Sequence, residues 1–252
     1  MGNGAQPESR VVLVTGASRG LGRAIAVGFG QAGYRVAVNY RTSTTEAYEC
    51  VHAIEAAGMI TGSAAFAYQA DVRDAKAVNA MMTSVRERWG RLDVLVCNAA
   101  LTEDGLVARV SGEAWDLVVA TTLSGVFHCL QKAGAVMQAQ GAGTIVLVGS
   151  FSAFQGRAGQ APYAAAKAGL LGLMKTAARE WGPSNIRVNM ILPGWHATAL
   201  TGYRDDPAPP PFGPVLGHGT AIDQVARFVV SLADMSDVSG QVFNLDSRIL
   251  SL

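Results

Sequence analysis

Seven short apolar runs punctuate the 252-residue chain, and stretches with helical spacing lie between them. The strand candidates are Val11–Thr15, Arg35–Asn39, Ser63–Gln69, Leu92–Cys97, Thr144–Gly149, Ile186–Leu192 and Gln241–Leu245. Helical patterns occupy Leu21–Ala32, Thr44–Ala57, Asp74–Trp89, Gly112–Gln140 (mostly helix), Ala161–Trp181 and Thr220–Ala233. Gly33, Gly58 and Gly90 each follow a helix, where a C-terminal cap favours glycine. Ser111 is placed as an N-cap, and Thr220 with Asp223 has the spacing of a capping box. Strands that are nearly all apolar and alternate with helices argue for a parallel sheet covered on both faces. The pattern predicts an α/β fold. It is a single-domain Rossmann fold over residues 1–252, with a doubly wound, parallel, seven-stranded sheet and helices on both faces. Residues 1–10 read as a flexible lead-in.

Composition narrows the class further. Half the residues are apolar, 15% are charged and the formal net charge is +1, so charge gives no reason to expect nucleic acid or an anionic membrane as partner. No apolar run is long enough for a membrane span. Met1–Arg10 is polar and lacks the apolar segment of a signal peptide. Gln6 stands where a myristoylation signal beginning at Gly2 wants Ser or Thr. Cys50, Cys97 and Cys129 are scattered and odd in number, which implies neither a disulfide framework nor a metal site. A reduced, cytoplasmic, metal-free protein is expected.

Between the first strand and the first helix lies Thr15-Gly16-Ala17-Ser18-Arg19-Gly20-Leu21-Gly22. Three glycines here let backbone N–H groups and a helix N-terminus approach a pyrophosphate with no side chain in the way. The second strand ends Val38-Asn39-Tyr40-Arg41. A site for NAD generally has an acid near this point to hold the ribose 2′-hydroxyl, whereas an arginine accommodates a 2′-phosphate. Arg35 through Thr45 contains no Asp or Glu, and Arg19 and Arg41 are at hand. NADPH is therefore the expected cofactor.

Tyr163 and Lys167 stand four residues apart on a predicted helix, hence on one face. An ammonium and a cationic nicotinamide nearby would lower the phenol's pKa from its ordinary value of about 10. Ser150, at the end of the preceding strand, could polarise a carbonyl oxygen. Together the three groups could deliver a proton to an oxygen while a hydride reaches its carbon.

In this combination the chain resembles the short-chain dehydrogenase/reductase family, and most of all its 3-oxoacyl-(acyl-carrier-protein) reductase branch. The resemblance runs from Val11 to about Leu245. It rests on Thr15–Gly22, Asp71-Val72, Asn98-Ala99-Ala100, Ser150 with Tyr163 and Lys167, and Pro193-Gly194 with Thr198. It implies that Gly16, Ser18, Arg19, Gly20, Leu21, Gly22, Tyr40 and Arg41 surround the cofactor's phosphates and ribose. Asp71 and Val72 would hold the adenine, and Asn98, Ala99 and Ala100 would steady the fourth strand end. Pro193, Gly194, His196 and Thr198 would line the nicotinamide pocket. Tyr163 would be the general acid, Lys167 would bind the nicotinamide ribose, and Ser150 would orient the substrate carbonyl.

Departures from the family pattern matter for function. Thr122 replaces an Asn implied to hold a water in a proton relay, and a hydroxyl has less reach and fewer donors than an amide. The chain ends Asp246-Ser247-Arg248 where relatives carry a glycine pair, which alters a turn near an expected subunit contact. Ala139–Thr144 and Gly182–Ile186 lack Lys and Arg, which leaves little to dock an acidic acyl carrier protein. Asp205–Pro214 holds five of the nine prolines and is either a stiff surface loop or part of a substrate lid over 197–217. The helix from Gly112 is apolar nearly all round, at Leu117, Val118, Val119, Leu123, Val126 and Phe127. Small residues line the Tyr163 helix. Both features fit a homotetramer or homodimer. The expected activity is NADPH-dependent reduction of a carbonyl, foremost a 3-oxoacyl thioester. Two alternatives are a dehydrogenase of a small alcohol, sugar or steroid, and a non-catalytic cofactor-sensing module.

Overall fold

The structure is a computed structural model and describes residues 9–58, 63–202 and 213–250. Seven strands form one sheet: β1 (Val11–Val14), β2 (Arg35–Tyr40), β3 (Ala65–Gln69), β4 (Val94–Cys97), β5 (Gly143–Val148), β6 (Ile186–Leu192) and β7 (Val242–Asn244). Their order across the sheet is β3-β2-β1-β4-β5-β6-β7, and every neighbouring pair is parallel. The order reverses direction beside β1, between the two halves of the doubly wound sheet. In such sheets ligands bind at that switch point, outside the carboxyl ends of the strands.

The strands read as apolar runs because both faces are covered. β1, β4 and β5 are buried throughout. One face packs against α3 (Ala75–Trp89), α5 (Gly125–Gln140) and α7 (Ala161–Trp181), with Leu13, Leu95, Ile145, Leu170 and Met174 in that core. The other packs against α1 (Gly20–Gln31), α2 (Thr44–Ala57) and α8 (Ile222–Asp234), around Val12, Val14, Phe29, Ile54 and Val229. Burying side chains of this size contributes roughly 1.5–3 kcal/mol each.

Helix limits follow local chemistry. Asp74 caps α3, accepting from the amides of Lys76 and Ala77, and Ser111 caps α4 (Gly112–Val119), accepting from Ala114. Gly90 closes α3 with φ at 77°, a left-handed geometry that costs glycine little. One expectation is corrected. Thr220 does not cap α8: Ala221 holds that position, and the Thr220 hydroxyl donates to the carbonyl of Leu245. Arg10 pairs with Asp234 at 2.7 Å and lies over the Tyr34 ring. Gly112–Gln140 is helical as expected, with a π-helical turn at Ala120–Ser124 between α4 and α5 (Gly125–Gln140).

The apolar sides of α4 and α5 are partly used within the chain. Val118 and Val126 are buried, Gly169 of α7 lies against Leu123, and Phe127 and Trp115 remain exposed. Of the expected lid, residues 203–212 lie outside the described residues, as do 1–8 of the lead-in. Among the described residues no helix is long and apolar enough to cross a membrane, and no cluster of His, Cys, Asp and Glu could hold a metal.

Candidate active site

The glycine turn between β1 and α1 is shaped by contacts that leave no room for side chains. Gly16 has φ at 62° and Gly20 at 58°. A Cβ on Gly22 would lie 2.4 Å from Asn98 Nδ2 and 2.5 Å from the carbonyl oxygen of Gly16. Asn98 occupies that space because its amide donates to the carbonyls of Thr15 (2.9 Å) and Gly16 (3.0 Å). The Thr15 hydroxyl in turn accepts from the amides of Asn98 and Ala99, which joins the ends of β1 and β4. The N-terminus of α1 carries no side-chain cap and no acidic residue in its first turn. Amides left in this state are suited to an anion.

A cavity of about 1120 Å³ opens at the carboxyl ends of the strands and contains nearly every residue expected there. Gly16, Ser18, Arg19, Gly20, Leu21 and Gly22 form one wall with Tyr40 and Arg41; Asp71, Val72, Asn98, Ala99 and Ala100 form the next. Ser150, Tyr163 and Lys167 follow, and Pro193, Gly194, His196 and Thr198 close the far side. Thr198 approaches Gly20 across the turn, 3.5 Å from where a Cβ would stand. His196 Nε2 lies 2.9 Å from the Pro193 carbonyl, and burial lowers its pKa. Arg73 grips the Asp71 carboxylate at 2.6 Å and holds its pKa below the ordinary carboxylate value. Val72 is buried, with its carbonyl 3.1 Å from His128 Nδ1. Among the described residues, Arg19 and Arg41 form no ion pair with a carboxylate.

Lys167 is buried on α7, and its ammonium donates to the Val148 carbonyl at 2.6 Å. Its nitrogen stands 5.6 Å from the centre of the Tyr163 ring. Burial lowers the Lys167 pKa to about 8, opposed by Cys97. Burial likewise pushes Tyr163 up to about 12, against the lowering effect of Ser150 and with a further rise from Asp104. The sequence reading expected an acidified phenol. In the protein by itself desolvation outweighs the neighbouring groups, and the phenol holds its proton.

Thr122 is placed differently from the expectation. It is fully buried on the π-helical turn, its hydroxyl accepts from the Leu101 amide (3.1 Å) and it donates to the Leu101 carbonyl (3.2 Å). A hydroxyl has one hydrogen, and here that hydrogen is committed to backbone. Thr122 therefore anchors the loop after β4 and does not point a donor at a relay water.

Three features of the site were not foreseen. Asn39, buried at the end of β2, accepts from the Gly16 amide and donates to the Ala70 carbonyl at 3.0 Å. It thus ties the glycine turn to the neighbouring strand ends. A polar residue in an otherwise apolar strand was the available signal. Arg157 and Trp195 pair on the cavity wall, with the guanidinium 4.4 Å from the ring centre. Arg248, in the turn expected near a subunit contact, lines the cavity and is held there by Asp246. They pair at 2.5 Å with side chains only 10% and 2% exposed, Asp246 packs on Gly194, and Arg248 lines the wall over Phe151.

The family model described as short chain dehydrogenase matches residues 10–208. A 3-oxoacyl-(acyl-carrier-protein) reductase of Staphylococcus aureus is 44% identical over 198 residues, 79% of each chain. One from Synechocystis is 36% identical and covers 96% of this chain and 97% of its own. A crystal structure described as a short-chain alcohol dehydrogenase from Sinorhizobium meliloti superposes with a TM-score of 0.87 at 35% identity, covering 96% of both chains.

Proposed function

Because the chain belongs to the short chain dehydrogenase family, we propose that it is an NADPH-dependent reductase that converts a carbonyl to a hydroxyl, foremost in a 3-oxoacyl thioester. One observation carries the reading. Ser150, Tyr163 and Lys167 meet in a single cavity with a glycine turn whose helix N-terminus is left uncapped. The 3-oxoacyl assignment draws on the names of the relatives at 36% and 44% identity. The choice of NADPH draws on Arg19 and Arg41, and on the absence of an acid from Arg35 through Thr45.

The residues present fit such a cofactor. The glycine turn would take the pyrophosphate, Arg19 and Arg41 the 2′-phosphate, Asp71 and Val72 the adenine, and Lys167 the nicotinamide ribose. Pro193, Gly194, His196 and Thr198 would border the nicotinamide. The cofactor, when bound, supplies the hydride. Ser150 donates a hydrogen bond to the substrate carbonyl oxygen and fixes its direction. The Tyr163 phenol gives its proton to that oxygen. Lys167, held on the Val148 carbonyl, keeps a positive charge close to the phenol, and that charge favours the phenolate left behind. Thr122 keeps the Leu101 loop in place beside these groups.

Residues 197–217 would act as the substrate lid, and a homotetramer would cover the exposed faces around Trp115 and Phe127. Three free, buried cysteines suit a reducing cytoplasm. A second reading is oxidation or reduction of a free alcohol or ketone. It is favoured by the lack of Lys and Arg in Ala139–Thr144 and Gly182–Ile186 and by the likeness to an alcohol dehydrogenase structure. Initial rates with NADPH and NADH, on an acetoacetyl thioester and on a panel of free ketones, separate the two. Tyr163→Phe should lower turnover by at least ~100-fold; near-normal turnover in that variant removes the mechanism. Tight NADPH binding with no turnover on any substrate would favour the sensing module instead.

A further inference from the structure

The substrate side of the cavity holds a cation that the proposed chemistry does not use. Arg157 sits on the short connection from Ser150 to Tyr163, flanked by Gly156 (φ 68°) and Gly159 (φ 86°). Backbone contact fixes this connection, since the Gly105 amide donates to the Gly159 carbonyl at 2.8 Å. Arg157 is partly buried, lines the same cavity as Ser150 and Tyr163, and lies over Trp195 with 4.4 Å between guanidinium and ring centre. Other cations on the wall are committed differently: Lys167 to the Val148 carbonyl and Arg248 to Asp246. Arg19 and Arg41 belong to the glycine-turn side. Asp104, also on the wall, accepts from the Thr102 hydroxyl at 2.6 Å and is not paired with Arg157. Among the described residues, no carboxylate forms an ion pair with Arg157.

A guanidinium with one face covered by an indole keeps the N–H donors on its edge available. Those donors form a planar fork that matches a carboxylate or phosphate in two-point contact. A cation drawn partly out of water without a counter-charge favours any anion that reaches it. We infer that Arg157 binds an anionic group of the substrate. The substrate is then an oxo compound that carries a carboxylate or phosphate within reach of its reacting carbonyl. Held between Ser150 and Tyr163 in the sequence, Arg157 sets the distance between the anion and that carbonyl. The inference rests on the reductase reading for the oxo group and on Arg157 with Trp195 for the charge.

Matched substrate pairs test it. One pair is a free 3-oxo acid and its methyl ester; the other is S-acetoacetyl-4′-phosphopantetheine and S-acetoacetyl-pantetheine. The wild type should prefer the anionic member of at least one pair by about tenfold or more in kcat/KM, the scale of a charge-assisted hydrogen bond. The pair that shows the preference identifies the anion as carboxylate or phosphate. In R157Q the anion-to-neutral ratio should fall toward one, and in R157K it should be intermediate. No preference in either pair, or a ratio unchanged in R157Q, overturns the inference. A purely structural role in supporting Trp195 would slow both members alike and leave the ratio where it was. Calorimetric titration of the NADPH-loaded protein with each pair measures the same ratio without turnover. Selective binding of the anion with no reduction would therefore sink the reductase reading and leave the charge recognition standing.

Discussion

Thr122 illustrates how much one hydroxyl can be asked to do. It joins the π-helical turn to both backbone groups of Leu101, a residue far away in sequence. Thr122→Val keeps the shape and leaves a part-buried amide and carbonyl of Leu101 unpaired, which should cost about 1–3 kcal/mol. Urea unfolding would read this as a lower midpoint with an unchanged slope, and an unchanged midpoint would mean that water replaces the hydroxyl. Thr122→Asn offers the same backbone groups an amide; a large loss of turnover there would show that the loop tolerates only the shorter side chain. The position of Thr122 was legible from its neighbours Leu123, Gly125 and Phe127. Its partner was not, because a local pattern cannot reveal a hydrogen bond formed by chain crossing. The same holds for Arg248: a charged residue near the end of a sequence looks solvated until Asp246 and Phe151 are seen around it.

At the level of elements, the inner strands were readable because they are buried throughout, and the helices because their buried residues recur at helical spacing. An apolar run flanked by glycines can hardly be anything but an interior strand in this setting. What escaped were features in which one backbone answers another. The π-helical turn at Ala120–Ser124 leaves no mark in apolar periodicity, and Thr220 had the spacing of a cap while its hydroxyl went to Leu245. The glycine turn and α1 act as one unit with Asn98. Gly22→Ala would drive a methyl group into the Asn98 amide and the Gly16 carbonyl, neither of which can retreat without breaking the contacts between β1 and β4. Such overpacking costs about 1–3 kcal/mol. Its sign should appear as a weakening of NADPH binding by about tenfold or more in a fluorescence titration. Binding at wild-type strength would mean that the turn does not shape the phosphate site.

Across the whole molecule, the two buried ionisable groups on α7 make stability depend on pH in opposite directions. Lys167 titrates at about 8 in the folded protein against 10.5 for an ordinary lysine. Between those values the unfolded chain holds the proton and the folded one does not, so stability rises with pH. Tyr163 titrates at about 12 against 10. Its contribution is complete below 10 and disappears as the pH climbs through 12. Below the tyrosine window, the wild type should therefore gain stability relative to Lys167→Met as pH rises from about 8 to about 10. Urea midpoints of the two proteins at several pH values would check this, and parallel curves would contradict it.

The cavity draws its two ends from different parts of the chain. Gly16–Gly22, Tyr40–Arg41 and Asp71–Val72 come from the first half of the sheet, whereas Gln155, Arg157, Trp195, Leu200 and Arg248 come from connections around the second. Selection for a new substrate can therefore work on a handful of codons that encode no strand residue. A randomised library confined to positions 155, 157, 195 and 200 would sample altered substrate range while the nucleotide half of the gene stays fixed.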